Sequence, residues 1–77
     1  MEKEIELETV TIDDKNYYVL KKIPHNENIY YYLSNTLDEN DTLIRKQDKD
    51  NESVVIPLDD DKEFELACNL ILKNILL

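Results

Sequence analysis

The feature that most constrains this chain is the absence of glycine from all of its 77 residues. Every turn must therefore be built from asparagine, aspartate or proline, because these residues tolerate the left-handed backbone region or preset a turn. Four polar clusters of this composition interrupt the chain, at residues 13–16, 24–28, 38–41 and 48–52. They divide most of the sequence into short segments of the length that strands have.

The segments between these clusters have the composition and pattern of β-strands. In the first of them, Ile5 and Leu7 alternate with glutamates, and a period of two is typical of a half-buried strand. Pro57 cannot donate a hydrogen bond to a neighbouring strand, so it marks a strand end or a sheet edge. We predict five strands, the last two of them as a hairpin: Glu2–Ile12, Tyr17–Ile23, Ile29–Leu33, Thr42–Gln47 and Ser53–Leu58.

The last segment changes to a helical period. Asp59, Asp60 and Asp61 offer side-chain acceptors where a helix begins. Their negative charge also stabilises a helix there, because it lies at the positive end of the helix dipole. Apolar residues then recur at spacings of three and four, which predicts one face of a helix of about 17 residues. The residues on this face are Phe64, Ala67, Cys68, Ile71, Leu72 and Ile75.

Together these segments predict a single α+β domain over residues 1–77. A small antiparallel sheet of four or five strands is packed on one face by the C-terminal helix. The facing of each strand depends on its register, since a shift of one residue exchanges the two faces. The predicted core residues are Ile5, Leu7, Val19, Ile29, Leu33, Val55, Phe64, Cys68, Ile71 and Ile75.

The order of these signals resembles the YrzB-like family, small acidic proteins of unknown function from Firmicutes. Three stretches carry the resemblance: the first hairpin over residues 11–20, the acidic loop over 48–52, and the acidic entry to the helix over 58–64. Members usually have glycine in the first turn, where this chain has Asp14, and the stretch Asn35–Asp41 is extra length. The resemblance implies a bacterial protein with this fold, and it implies no activity.

Charge and composition exclude several classes of function. With 18 acidic and 9 basic residues, the chain has a net charge of −9, which repels nucleic acid and anionic lipid. One cysteine and one histidine cannot form a Cys/His zinc site, and the sequence contains no catalytic motif. No apolar run reaches the length of a membrane span, which is about 20 residues. We therefore expect a cytoplasmic protein that is not an enzyme and needs no cofactor or metal.

Two apolar features predict contact with another protein. Neighbouring tyrosines on a strand point to opposite faces, so Tyr30 and Tyr32 either anchor a partner or cover the second face of the sheet. On the helix, Leu66, Leu70 and Leu77 lie away from the predicted core face. This second stripe predicts a homodimer or a partner contact, unless a long loop covers it.

The acidic residues suggest an alternative function. Glu4, Glu6 and Glu8 share one face of a predicted strand and repeat every 6.6–6.8 Å or so, a spacing similar to that of successive phosphates. Together with Asp59, Asp60 and Asp61, they would resemble a nucleic-acid backbone. Such a protein would inhibit a nucleic-acid enzyme by filling its basic groove, as a phage-encoded inhibitor does. The simpler interpretation is that these charges only keep a small protein in solution.

Overall fold

The fold is that of a computed structural model, which describes the backbone of residues 8–76 and the side chains of residues 8–74. A single antiparallel sheet has the strand order β1-β2-β3-β4-β5, so each strand pairs with the next in the chain. A C-terminal helix of 16 residues follows, which confirms the predicted α+β fold. The elements are β1 (Thr9–Ile12), β2 (Lys15–His25), β3 (Asn28–Asn35), β4 (Thr42–Gln47), β5 (Val55–Ile56) and α1 (Asp61–Leu76).

Two tight turns show how the chain folds without glycine. Asp13 and Asp14 connect β1 to β2 with φ values of 50° and 64°, and Asn26 and Glu27 connect β2 to β3 with 46° and 70°. Positive φ at both central residues matches the twist of the strands that such a turn joins. Aspartate and asparagine tolerate this conformation better than glutamate does, so Glu27 is the most strained of the four.

The strand boundaries differ from the prediction at several ends. β2 and β3 extend almost to the turn between them, so Pro24 lies inside β2 opposite Ile29. The loop between β4 and β5 is longer than expected, and β5 contains only two residues before Pro57 ends it. The predicted first strand is described from Thr9 to Ile12, and its residues 2–7 lie outside the described residues.

The two faces of the sheet are exchanged along β2 by a β-bulge. The pairing shifts between Val19 and Lys21, so that Val19 lies opposite Leu33 and Ile23 opposite Tyr30. In a regular strand Val19 and Ile23 would share a face, but one extra residue at Leu20 places them on opposite faces. We call the face with Ile23 and Tyr30 the helix face, because α1 covers it. The other face is the inner face.

The inner face buries an apolar cluster without help from the helix. Tyr17, Val19, Tyr31 and Leu33 are all buried there, and Leu33 has no exposed surface. The sheet curls around this cluster, so that the flanking residues come from β1, β3, β4 and β5. These partly buried residues are Val10, Ile12, Ile29, Leu43 and Val55. The burial of Val19 and Leu33 confirms their predicted place in the core, and Ile29 and Val55 lie at its edge.

The helix face buries Ile23 and Tyr30 on the sheet and Ala67 and Ile71 on the helix. The predicted helix stripe is correct for Ile71 and Ala67, and Cys68 is half-buried. It is wrong for Phe64 and Leu72, which are 49% and 54% exposed. The buried row is Glu63, Ala67 and Ile71, so Glu63, which bonds to the sheet, takes the place predicted for Phe64. The predicted core residues Ile5, Leu7 and Ile75 have side chains outside the described residues.

Candidate protein-binding surfaces

A polar network under the first turn of α1 fixes the helix on the sheet. The Glu63 carboxylate accepts hydrogen bonds from the Tyr30 hydroxyl at 3.0 Å and from Lys46 Nζ at 3.2 Å. It also accepts one from the backbone N–H of Asp59, at 2.6 Å. Lys46 forms a second ion pair with Asp59 at 3.0 Å, although its side chain is only 10% exposed. The network therefore connects β3, β4 and the helix through Lys46 and Glu63, whose side chains are mostly removed from water, while Asp59 remains exposed.

Electrostatics in this network keep both charges in place. Burial alone would raise the pKa of Glu63, but hydrogen bonds from Asp59, Tyr30 and Lys46 hold that pKa below its ordinary value. Burial alone would lower the pKa of Lys46, but the Asp59 and Glu63 carboxylates hold it above the ordinary value. Burial and the bond to Glu63 raise the pKa of Tyr30. Each group is therefore fixed in its common protonation state at neutral pH, which suits a structural role.

The three aspartates before the helix have different surroundings. Asp60 caps the helix, since its Oδ1 accepts the backbone N–H of Glu63 at 2.8 Å. Asp59 pairs with Lys46, as described above, and Asp61 is exposed at the first helical position. Two of the three predicted partner-binding aspartates thus have a structural contact of their own.

The predicted glutamate stripe can be followed at one residue. Glu8 pairs with Lys22 at 2.6 Å, and Lys22 Nζ lies 5.4 Å from the centre of the Tyr31 ring. The hydrogen bond to Glu8 raises the pKa of Lys22 despite some burial. Glu4 and Glu6 lie outside the described residues, so the structure gives no position for the rest of this stripe.

The predicted tyrosine anchors differ in exposure. Tyr30 is 2% exposed, so its prediction as a partner-binding residue does not fit the structure. The reason is the position of α1, which covers this end of the helix face. Tyr32 is half-buried on the same face, opposite Lys21 and Ile44, and its ring remains partly available. The tyrosine with the most exposed surface is Tyr18, at 38%.

The second predicted helix stripe is also divided. Leu66 is 36% exposed, beside His25 and Asn26 of the β2–β3 turn. Leu70 is half-buried, so it contributes to the packing of the helix more than to a free surface. Leu77 lies outside the described residues.

A hollow beside the helix N-terminus combines apolar surface with negative charge. It has a volume of about 350 Å³ and lies where β5 ends and the chain crosses to α1. Apolar side chains from β4, from the connection between β5 and α1, and from α1 line it: Ile44, Pro57, Leu58 and Phe64. Asp59, Asp60 and Asp61 lie around them, and Arg45 is the one basic residue in the lining. We call this feature the Phe64 hollow.

A groove of about 580 Å³ opens on the inner face between the two edge strands of the sheet. One wall is residues 8–11 of β1 and its approach, and the other is Glu52, Ser53 and Val55. Tyr31, Lys22 and Gln47 lie between the walls, and the Tyr31 hydroxyl donates to Gln47 Oε1 at 3.1 Å. We call this groove the seam, because the curled sheet would close here if β1 and β5 were paired.

Sequence reasoning missed the Tyr30–Lys46–Glu63 network and the Phe64 hollow. A signal for the network was present, because Glu63 lies four residues before Ala67 and eight before Ile71, in one helical row. Nothing in the sequence indicated that Lys46 would face this row, since that depends on the register of β4 against β3.

Among residues 8–76, no group of three or more metal-ligating side chains comes together. Within the same range, no helix has the length and apolarity to span a bilayer.

No protein-family model, curated protein sequence or solved structure matches this chain. The resemblance to the YrzB-like proteins therefore stays a prediction.

Proposed function

We propose that this chain is a non-enzymatic regulatory or adaptor protein that acts by binding another protein. The observation that supports this proposal is the Phe64 hollow. Phe64 is an aromatic residue in the first turn of α1, yet half of its surface is exposed. Aromatic side chains, including phenylalanine, are enriched at protein interfaces, where they bury a large apolar area.

The charge around the hollow defines the partner that would fit it. Three aspartates and one arginine line this surface, on a chain of net charge −9. A partner that inserts an apolar side chain beside lysine or arginine would match both properties. Its charge would raise the rate of association, and the apolar contact would slow dissociation.

The test is capture of partners from a bacterial lysate with the tagged protein, compared between two variants. Phe64→Gln removes the aromatic side chain from the hollow, and Leu72→Gln removes an equally exposed apolar side chain from the same helix. Neither variant changes the net charge. We expect a partner that remains bound at high salt, is lost with Phe64→Gln and is retained with Leu72→Gln. Circular dichroism and thermal unfolding establish that both variants are folded.

The opposite pattern contradicts the assignment to the hollow. If every captured protein binds the Phe64→Gln variant as well as the original chain, the hollow is not the contact surface. Loss with both variants would point to a broad apolar surface of the helix. Recovery of the tagged chain alone, with a native copy, would indicate a homodimer.

The nucleic-acid-mimicking inhibitor is the second candidate function, and one observation favours it. Exposed carboxylates gather in the loops at both ends of the sheet, at residues 13–14, 38–39, 50–52 and 59–61. The basic residues Lys21, Lys22, Arg45 and Lys46 lie on strands between these ends. Capture of a nucleic-acid enzyme that high salt releases, and that binds Phe64→Gln normally, would support this function over the first.

A further inference from the structure

Among residues 8–76, the two walls of the seam present backbone groups without a hydrogen-bond partner toward each other. The N–H of Val19 donates to the carbonyl of Glu8 at 2.8 Å, so Glu8 and Val19 form a hydrogen-bonded pair of the β1–β2 ladder. Hydrogen-bonded pairs alternate along antiparallel strands. In this register Val10 and Tyr17 form the next hydrogen-bonded pair. The N–H and carbonyl groups of Thr9 and Thr11 therefore point away from β2, toward the seam.

The opposite wall, at β5, is arranged in the same way. The N–H of Asp48 donates to the carbonyl of Val54 at 2.9 Å, and the register continues with Gln47 opposite Val55. Alternation turns the backbone groups of Val55 away from β4 and toward the seam. Both walls therefore offer donors and acceptors to a chain that lies between them.

The edge strand β1 also lacks the features that normally prevent such pairing. β1 has the sequence Thr-Val-Thr-Ile, which contains no charged residue and no proline. Strand edges in natural proteins are usually protected by lysine, proline or a bulge. On β5, Pro57 comes only after the two paired residues, so it does not block the backbone groups of Val55 that line the seam.

We propose that the seam binds an extended segment of a partner protein, which inserts as a sixth strand between β1 and β5. Main-chain hydrogen bonds to both walls would supply affinity, as in other cases of strand addition. Alternate side chains of the segment would point onto Val10, Tyr31 and Val55 on the inner face. The seam shares no lining residue with the Phe64 hollow, so failure of one proposal would not contradict the other.

Charge in the seam selects the kind of segment. The lining contains two glutamates and one lysine, and that lysine, Lys22, is bound to Glu8. Glu52 has no ion-pair partner among the described residues, and Asp50 lies two residues before it in the same loop. A segment that carries lysine or arginine near Glu52 would therefore be favoured over an acidic one.

The test is selection from a displayed library of random nine-residue peptides. The intact protein is the target, and the Thr11→Pro variant is the counter-selection target. Proline at this position removes a backbone N–H that faces the seam, and proline is tolerated on edge strands. Thr11→Val is the matched control, since both variants lose the hydroxyl bond to Asn16 but valine keeps the N–H. We expect selected peptides with alternating β-branched residues and at least one lysine or arginine.

Three measurements on a selected peptide complete the test. Binding is expected to fall about five- to tenfold in Thr11→Pro, the effect of losing one main-chain hydrogen bond, and to stay unchanged in Thr11→Val. In hydrogen exchange, the peptide should slow the amides of Thr9, Thr11 and Val55, while that of Val10, already bonded to Tyr17, changes least. Methylation of alternate backbone nitrogens of the peptide should abolish binding without altering the protein.

Three results would overturn the inference. The first is a selection that enriches no peptide over the counter-selection. The second is a peptide whose methylated form binds equally well, because backbone pairing would then contribute nothing. The third is a protein that forms a dimer through β1, seen as concentration-dependent protection of Thr9 and Thr11 without peptide.

Discussion

The two faces of the sheet are closed in different ways. On the inner face, Tyr17, Val19, Tyr31 and Leu33 are buried by the curl of the sheet itself. Their polar atoms are satisfied at the rim, where the Tyr17 hydroxyl donates to Asp41 at 2.8 Å. On the helix face, burial depends on α1, and the helix is held by charged groups. The inner face is thus an apolar core, and the helix face combines a small apolar contact with an ion network.

This difference suggests what each face contributes. Apolar burial is roughly proportional to area and is not directional, so it stabilises the inner face without fixing one arrangement. A buried ion pair adds little net stability over apolar packing, but loss of one partner leaves the other charge unpaired. We infer that the inner face supplies most of the stability of the sheet, and that Glu63 determines where the helix sits.

The largest expected effect is on the inner face. Leu33 has no exposed surface and lies at the centre of the cluster, so Leu33→Ala should lower the free energy of unfolding by about 3 kcal/mol. Leu37→Ala is the matched control, because Leu37 is 95% exposed and should change stability by less than about 0.5 kcal/mol. Urea unfolding measures both. An equal, small loss from the two variants would show that the inner face is not the main core.

The next effect is on the helix face. Glu63→Gln removes the charge that Lys46 and Tyr30 contact, and it should cost about 2 kcal/mol, with Asp59 left as a partner for Lys46. Glu65→Gln is the control, since Glu65 is an exposed acid on the same helix. Hydrogen exchange should show a larger loss of protection in α1 than in β3. A uniform loss across both elements would mean that the network supports the whole fold and not the helix position alone.

The comparison of faces also explains which parts of the structure could be predicted. The strands and the helix follow from turn composition and from the change of hydrophobic period, which are local properties. The facing of side chains could not be predicted where it depends on one residue. The burial of Val19 was predicted, but the bulge at Leu20 exchanges the faces beyond it, and the pattern of β2 does not reveal the extra residue.

The helix stripe was wrong in part for a related reason. The apolar pattern joins the row of Phe64, Cys68 and Leu72 to Ala67 and Ile71, but it does not include Glu63 in a second row with Ala67 and Ile71. The structure places the second row against the sheet, because Glu63 finds Tyr30 and Lys46 there. That pairing depends on the register of β3 and β4, which a pattern within one segment does not contain. The Phe64 hollow is a consequence, since the displaced row is left exposed beside it.

Acid should weaken the helix face through Glu63. Its pKa is lowered in the folded protein from an ordinary value of 4.5, so its contribution is present above pH 4.5 and is lost as the pH falls through the lowered value. The stability difference between the original chain and Glu63→Gln should therefore shrink below that pH. Asp41, at the rim of the inner face, also has a lowered pKa, and the subtraction removes its contribution. Urea unfolding of both proteins, from about pH 3 to about pH 7, measures the difference in their free energy of unfolding. A constant difference would mean that Glu63 does not act through its charge.

The smallest effect tests whether the two faces unfold together. Glu27 has a φ of 70°, which costs a residue with a side chain about 1–2 kcal/mol, although glycine also loses more entropy on folding. Glu27→Gly should therefore stabilise the protein by about 0.5–1 kcal/mol, and Asp14→Gly by less, since aspartate tolerates this region better. The turn at Glu27 joins β2 and β3, and both strands carry residues of both faces. If the domain unfolds as one unit, exchange protection should rise equally at Leu33 and at Ala67. A rise at Leu33 alone would show that the helix leaves the sheet before the inner face opens, and the network at Glu63 would then hold a separate folding unit.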